Sequence, residues 1–217
     1  MKLSNLKVSV FLCAAVFTFS VSASATVINN TAITGDVSPF GSPNTATYGQ
    51  TFTVGADNVL NSFSLYLNAG PDQLDLRGYV AGWDGSKADG IIYTSTTRTM
   101  TSVSGLTEFA FNTGALNLAT GSKYVLFLSV SDLGAQPQST FTMPTTGQTY
   151  AGGDFVYYNN GTNFSLLTSS SWNCRECGFG DVAFKAELSP SSAVPEPASL
   201  ALLGLGLIGL MANRRKL

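Results

Sequence analysis

In the segment Ser62-Phe63-Ser64-Leu65-Tyr66-Leu67-Asn68, large apolar side chains occupy every second position. Successive side chains of a β-strand point to opposite faces, so this alternation predicts a strand with one buried side and one solvent-facing side. The same spacing recurs at Phe109 and Phe111 and over residues 182–188. Residues 26–190 do not sustain the i, i+3, i+4, i+7 spacing of an amphipathic helix. The region is therefore predicted to be all-β.

A second pattern marks a strand that is covered on both sides. The segment Tyr124-Val125-Leu126-Phe127-Leu128-Ser129-Val130 is apolar at every position except Ser129. A strand reads as a continuous apolar run where both of its faces are removed from water. We therefore expect this segment to lie in the centre of a sheet.

Turn-forming residues separate the predicted strands. Asp84-Gly85-Ser86, Thr120-Gly121-Ser122 and Asn159-Asn160-Gly161 combine glycine with short polar side chains, which is typical of tight turns. About nine or ten short strands at this spacing favour an antiparallel, jelly-roll-like β-sandwich over residues 26–190. A β-barrel is the second choice.

The charge composition excludes several classes of function. The 217 residues include 11 Lys and Arg, 13 Asp and Glu and no His. Without histidine the chain cannot form a Ser-His-Asp triad, a Cys-His pair or a His-ligated zinc site. Residues 26–190 hold six basic and twelve acidic side chains, a balance that is unsuited to binding nucleic acid. We expect no cofactor, no metal ion and no nucleic-acid partner.

The N-terminal residues have the three parts of a signal peptide. Two lysines precede the apolar run Val8–Phe19, and small side chains at positions 23 and 25 form a signal-peptidase site. The apolar run is shorter than the ~20 residues of a membrane-spanning helix. Residues 1–25 are therefore predicted to be a signal peptide, with Thr26 as the first residue of the mature chain.

The C-terminal residues also have three parts in a fixed order. Pro195-Glu196-Pro197 precedes an apolar segment and the basic run Arg214-Arg215-Lys216. This arrangement resembles the PEP-CTERM sorting signal of exported bacterial proteins. The resemblance implies that Pro195, Glu196 and Pro197 are recognised by an exosortase, a membrane-embedded cysteine peptidase that cuts the tail and passes the protein to the cell surface or matrix. An ordinary membrane anchor with a chance Pro-Glu-Pro is the alternative.

The physical properties of the tail fit temporary residence in the inner membrane. As a helix, residues 200–212 would rise about 20 Å at ~1.5 Å per residue, which spans a bilayer core of ~30 Å only marginally. The basic run should stay in the cytoplasm, which places residues 26–190 in the periplasm until the tail is processed. Residues 191–217 are therefore predicted to be a sorting tail, with a transmembrane segment at about residues 198–212.

The segment Cys174-Arg175-Glu176-Cys177 holds the two cysteines that remain after removal of the signal peptide. In an oxidising exported compartment, an even pair should form a disulfide. Thioredoxin-like redox chemistry would need a βαβ context, and a metal site would need two further ligands. The sequence favours a Cys174–Cys177 disulfide over both alternatives.

Some aromatic and acidic side chains are candidates for ligand binding. They are Trp83, Asp84 and Trp172, with Tyr79, Tyr157 and Tyr158 as further aromatic candidates. An exposed ring could stack on a sugar while a neighbouring carboxylate binds its hydroxyl groups, although aromatic side chains of a β-sandwich usually belong to the core. Residues 83–90 also resemble a calcium loop, but oxygen-rich positions are missing and a hairpin loop is favoured.

Residues 48–54, 83–85 and 116–126 resemble the β-sandwich ectodomains of PEP-CTERM proteins, which are similar in pattern to carbohydrate-binding jelly rolls. We therefore expect a structural or adhesive protein of the cell surface or extracellular matrix, without enzymatic activity, whose partner is extracellular polysaccharide. A dedicated carbohydrate-binding lectin and a cryptic hydrolase are the alternatives. A glycoside hydrolase would need two facing carboxylates about 5–9.5 Å apart, which sequence separation cannot reveal.

Overall fold

The structure is a computed structural model of the chain. It describes residues 25–43, 45–68, 70, 73–101, 105–136, 139–173 and 180–191. The predicted signal peptide up to residue 24, the Cys174–Cys177 pair, the Pro195-Glu196-Pro197 motif and the predicted transmembrane segment lie outside these residues.

The described residues form thirteen β-strands and one short α-helix. In chain order these are β1 (Thr26–Asn30), β2 (Gly35–Ser42), β3 (Thr47–Thr53), β4 (Val59–Asn68), β5 (Leu74–Trp83), β6 (Ala88–Thr94), β7 (Arg98–Met100), β8 (Leu106–Asn117), β9 (Lys123–Ser129), β10 (Ser139–Gly147), β11 (Phe155–Tyr158), α1 (Leu166–Ser169), β12 (Asp181–Val182) and β13 (Phe184–Ser189). The all-β prediction is confirmed. The strands outnumber the nine or ten expected, in part because β7 and β12 have only three and two residues and are too short for alternation to show.

The strands form three sheets, and their pairs are antiparallel. One is a four-stranded sheet in the order β1-β13-β4-β8, and another is a six-stranded sheet in the order β11-β3-β9-β5-β6, with β7 paired to β5. The third is a three-stranded sheet in the order β12-β10-β2. The four-stranded sheet ends on two edge strands, so it does not close into the β-barrel that was the second choice from the sequence.

The four-stranded and six-stranded sheets share the main hydrophobic core. Phe63, Leu65 and Leu67 of β4 are buried in it together with Leu126 and Leu128 of β9. Each Leu or Phe side chain that is fully buried in this way contributes about 1.5–3 kcal/mol to the stability of the fold. The alternation that predicted strand β4 is therefore the pattern of its core-facing residues.

Strand β9 lies between β3 and β5, as its apolar sequence predicted. On the face opposite the main core, Val125 and Phe127 belong to a second buried cluster. Leu167 of α1 and Trp172 cover this face. The six-stranded sheet is thus covered on both sides near its centre, which explains why almost every residue of β9 is apolar.

Side chains on the outer face of β4 are more buried than the alternation predicts. Ser64 and Tyr66 were expected to face solvent, yet they are only 7% and 6% exposed. The Lys185 ammonium lies 5.7 Å from the centre of the Tyr66 ring and also pairs with Glu108 on β8. Long side chains of the neighbouring strands β8 and β13 therefore cover this face, with the Lys185 ammonium over the Tyr66 ring.

Two loops connect the sheets at the end of the domain where β13 finishes. The β3–β4 loop (residues 54–58) and the β8–β9 loop (residues 118–122) are joined by hydrogen bonds between main-chain atoms, of 2.8 Å from Leu118 N to Asn58 O and 3.0 Å from Val54 N to Ser122 O. We call these two loops the exit end of the domain. Strand β1 also begins there, because Thr26 pairs with Leu188 of β13. None of the helical structure in the described ranges has the length and apolar character of a membrane-crossing segment.

Candidate functional site

The structure brings the three candidate ligand-binding residues together. Trp83 ends strand β5, Asp84 follows it in the β5–β6 turn, and Trp172 lies in the segment that covers the six-stranded sheet. The Trp83 and Trp172 rings are nearly perpendicular, with centroids 5.5 Å apart. The main-chain N–H of Trp172 also donates to the Ser86 carbonyl at 2.8 Å. Residues almost ninety positions apart in the sequence are therefore neighbours.

The Asp84 carboxylate is directed into its own turn. It accepts hydrogen bonds from the main-chain N–H groups of Ser86 at 2.8 Å and Lys87 at 2.9 Å, and it pairs with the Lys87 ammonium. This side-chain bond and the two main-chain N–H groups hold the pKa of Asp84 well below its usual range. Because β5 and β6 pair on either side through Trp83 and Ala88, the segment is the hairpin that the sequence favoured over a calcium loop.

We expect Asp84→Ala to loosen this turn while leaving the rest of the domain intact. Because the folded-state pKa is lowered, the carboxylate's contribution is present above pH ~4 and is lost only as the pH falls through the lower folded value. Amide hydrogen exchange of Ser86 and Lys87 should therefore speed up in the variant at neutral pH and stay slow in wild type. Asp89→Ala in the same hairpin is the control. If the Ser86 and Lys87 amides exchange equally fast in both variants, the Asp84 carboxylate does not hold this turn.

The Trp172 ring is part of the second buried cluster. It is 8% exposed, and its indole N–H donates to the Leu167 carbonyl at 2.8 Å. Its ring lies edge-on to Phe127 at 5.2 Å and parallel to Tyr158 at 6.5 Å. Tyr79 is likewise buried against Phe127, and burial raises the pKa of its phenol well above the usual value. Trp83 is partly exposed at the margin of this cluster.

An open groove of about 510 Å³ lies beside Trp83 at the exit end of the six-stranded sheet. Its lining residues are Gly82, Trp83, Asp89, Ile92, Ser122, Lys123 and Tyr124. Strand register places Tyr124, Gly82 and Asp89 side by side across β9, β5 and β6. A Cβ on Gly82 would lie 2.6 Å from the Asp89 carbonyl oxygen, so glycine permits this close approach of the two strands.

The groove combines aromatic, hydroxyl and charged groups. The Tyr124 hydroxyl oxygen accepts a hydrogen bond from Ala119 N at 2.9 Å, which leaves its own hydrogen available as a donor. The Lys123 ammonium lies 3.8 Å from an Asp154 carboxylate oxygen, and the Asp89 side chain is exposed. The groove therefore offers donors, acceptors and part of an apolar ring within one open surface.

Sequence reasoning found Trp83 but missed the groove residues contributed by β9 and β6. Tyr124 is the first residue of the predicted central strand, Lys123 lies just before it, and Asp89 falls in a predicted loop. Their meeting depends on β5 lying between β9 and β6, which strand alternation alone does not predict. Among the residues that the structure describes, no cluster of three or more His, Cys, Asp or Glu could hold a metal ion.

The chain was compared with protein families, curated proteins and solved structures. The family model of the PEP-CTERM protein-sorting motif matches residues 193–216. No curated protein matches the sequence. A solved structure of the cysteine protease and lectin-like domains of Cwp84, a surface layer associated protein of Clostridium difficile, is similar at 14% identity and a TM-score of 0.39. The match covers 68% of this chain and 32% of that chain, so this chain spans about a third of its length.

The matched motif contains the Pro195-Glu196-Pro197 tripeptide, the apolar segment and the basic run that the sequence pointed to. The exosortase is thus the processing partner of this chain, which is anchored in the membrane before it is processed to the surface. By this motif, the chain is a PEP-CTERM protein, exported and sorted by an exosortase.

Proposed function

We propose that the chain is a structural or adhesive protein of the cell surface or extracellular matrix, and that it binds extracellular polysaccharide through the groove beside Trp83 without catalysis. The observation that carries the proposal is the groove itself, which is lined by Tyr124 and Trp83 together with Asp89, Lys123 and Ser122. The Tyr124 ring packs on the main core and the Trp83 ring packs on Trp172, so each ring is held in place beside the groove. Its lining is more polar than apolar, which suits a hydroxyl-rich ligand better than an apolar small molecule. A sugar presents both an apolar ring face and hydroxyl groups, so it fits this combination.

The composition of the groove favours binding over hydrolysis. Asp89 is the one carboxylate among its described lining residues, and Lys123 is the one ammonium. Glycoside hydrolysis ordinarily uses a pair of carboxylates on either side of the scissile bond. The open shape of the groove also suits one stretch of a long polymer better than an enclosed small molecule. A dedicated lectin would use the same groove with higher affinity and narrower specificity.

We propose a jelly-roll winding for the sandwich. From β1 in the four-stranded sheet the chain passes through β2 of the three-stranded sheet to β3 in the six-stranded sheet and back to β4. It continues through β5, β6 and β7, returns as β8 and crosses to β9, and it then passes through β10, β11 and β12 before it ends as β13 beside β1. The repeated crossing between the four-stranded and six-stranded sheets supports a jelly roll, since that fold winds its strands between two sheets.

The remaining parts of the proposal concern the cysteines and the membrane. Asn173 is fixed to Tyr157 by two main-chain hydrogen bonds, and Gly180 pairs with Gly147. We propose that Cys174 and Cys177 form a disulfide, because an even pair of cysteines in an oxidising exported compartment is expected to pair. We place the domain in the periplasm, with signal peptidase removing residues 1–25 and a helix at about residues 198–212 holding the tail in the inner membrane.

The groove predicts a specific loss of polysaccharide binding. Trp83→Ala and Lys123→Ala should each weaken binding of the mature protein to polysaccharide purified from the host's own matrix by about tenfold, equivalent to ~1.4 kcal/mol. Co-sedimentation over a protein titration measures the affinity. Lys185→Ala is the matched control, since Lys185 is 36% exposed against 39% for Lys123 and also makes one ion pair.

Two results would count against the groove. If wild type does not co-sediment with the polysaccharide, the binding role fails, and the structural role would rest on sorting alone. If the groove variants and Lys185→Ala bind as tightly as wild type, polysaccharide is bound elsewhere. A thermal melt of every variant separates loss of binding from loss of fold.

A further inference from the structure

Residues 189–191 lead into the sorting tail, and we call them the root of the tail. Hydrogen bonds hold this root at the exit end. The Asn61 side-chain amide donates to the Ser189 hydroxyl at 3.1 Å, and Ser191 N donates to the Asn58 side-chain carbonyl at 3.2 Å. Asn58 is itself fixed, because its amide donates to the Leu118 carbonyl at 3.1 Å. The main chain is therefore tied to the domain through Ser191, two residues before the sorting motif begins at residue 193.

The chain between this root and the recognition tripeptide is short. Glu196 lies five residues beyond Ser191, and five extended residues span at most about 17 Å. When the motif occupies the recognition site of the exosortase, the exit end must lie within about that distance of the site. The end of the folded domain that carries this root is therefore brought close to the peptidase during processing.

The surface around the root of the tail is suited to close contact with another protein. The two loops of the exit end, residues 54–58 and 118–122, consist mainly of small uncharged residues. They carry a single charged side chain, Asp57, which accepts a hydrogen bond from the Thr26 hydroxyl. A surface with few strongly hydrated charges loses little favourable hydration when another protein covers it. Thr26 also places the start of the predicted mature chain at this end, so both membrane-directed segments adjoin it.

We propose that the exit end, residues 54–58 and 118–122, is the surface that docks against the exosortase while the tail is cut. Asn58 and Asn61 are positioning residues for this step. The inference rests on sorting by an exosortase and does not require polysaccharide binding, although Ser122 of this surface also lines the groove beside Trp83. The occupant of the surface is the periplasm-facing part of the peptidase. Asn58 and Asn61 act by holding the root of the tail, which sets the distance between the folded domain and the cut.

A bulky insertion at the exit end should block processing through steric conflict. We would insert a small folded domain between Thr120 and Gly121 of the full-length chain and express it in the native host. The matched control carries the same insertion between Gly134 and Ala135, in the exposed loop after β9 at the opposite end. Both are exposed loop sites, where domain insertion is best tolerated. Mass spectrometry of the mature C-terminus measures the cleaved fraction.

The Thr120/Gly121 insertion should lower the cleaved fraction at least tenfold, and the Gly134/Ala135 insertion should leave it unchanged. A Gly/Ser spacer of about 30 residues after Ser191, with a root-mean-square reach of ~30 Å, should restore cleavage of the blocked chain. Unchanged cleavage of the Thr120/Gly121 chain would overturn the proposal. So would equal loss from both insertions, or failure of the spacer to restore cleavage when melting temperatures show that the domain is folded.

The positioning role has its own readout. Asn58→Ala with Asn61→Ala frees the root of the tail, so this double variant should partly restore cleavage of the chain blocked at Thr120/Gly121. No restoration in a folded variant would remove Asn58 and Asn61 from the proposal. If wild type itself keeps its tail, sorting by an exosortase fails, and the docking surface fails with it.

Discussion

Replacing Pro195, Glu196 and Pro197 by alanine in the full-length chain is expected to leave the C-terminal tail uncut and the protein in the inner membrane fraction. Proline fixes its own φ near −65° and favours extended backbone in the residue before it, so we expect the two prolines to favour an extended conformation at Glu196. Glu196 is also the one carboxylate within residues 193–216. The triple variant removes both the shape and the charge that a peptidase could read.

The measurement is the mass of the mature C-terminus together with the location of the tagged protein in the native host. Wild type should lose the tail and leave the inner membrane, whereas the triple variant should do neither. Ser199→Ala is the control, because it lies in the same tail just after the tripeptide. Cleavage of the triple variant at the wild-type rate would disprove recognition through the tripeptide, and an intact tail in wild type would leave a membrane-tethered domain.

Single substitutions separate the two contributions. Glu196→Gln keeps the length and polarity of the side chain and removes its charge, so a large loss of processing in this variant would assign recognition to the carboxylate. Pro195→Ala keeps Glu196 and releases the main chain, so loss in that variant would assign recognition to the extended shape. The loss of tail cleavage in the triple variant is the maximum with which the losses in the two single variants are compared.

The sequence predicted the fold where a single strand carries its own signal. Alternation in β4 and the continuous apolar run of β9 each report how many faces of one strand are buried, and both predictions hold in the structure. The prediction for the outer face of β4 was wrong because Tyr66 is covered by side chains from β8 and β13. Strand periodicity contains no information about the length of side chains on neighbouring strands.

The candidate site shows the same limit. Trp83 and Trp172 were selected as separate aromatic residues, and their meeting follows from the way the segment after β11 folds back over the six-stranded sheet. Tyr124 and Asp89 reach the groove through the register of three strands. Helix α1 has four residues, which is about one turn and too short for a helical period to appear. Patterns within one segment therefore could not show which residues from distant segments lie next to each other in the site.

The buried Asp181 carboxylate holds three parts of the domain together. It is 3% exposed and accepts hydrogen bonds from the Gln50 amide at 2.8 Å, Thr149 N at 3.0 Å and Tyr150 N at 2.8 Å. Gln50, which is fully buried, accepts in turn from Val182 N at 3.0 Å. This network joins β3, β12 and the segment after β10, so one side chain satisfies donors from distant parts of the sequence.

Asp181→Ala is therefore expected to destabilise the domain by about 3–5 kcal/mol. In this variant two main-chain N–H groups and the Gln50 amide lose their acceptor inside the protein, which costs ~1–3 kcal/mol for each donor. Water that enters the site offsets part of this cost. For a domain of this size the melting temperature should fall by roughly 10 °C. The free energy of unfolding would be measured by urea titration of the mature protein.

Asp75→Ala is the matched control for Asp181→Ala, because Asp75 accepts one hydrogen bond, from the Thr99 hydroxyl at 2.6 Å, at an exposed site. This control should change the free energy of unfolding by less than about 1 kcal/mol. Asp181→Asn should fall between the two, since its amide keeps one acceptor oxygen but turns an N–H₂ group toward other donors. If Asp181→Ala unfolds at the same urea concentration as Asp75→Ala, water satisfies the three donors, and the strength of this part of the fold comes from apolar packing instead.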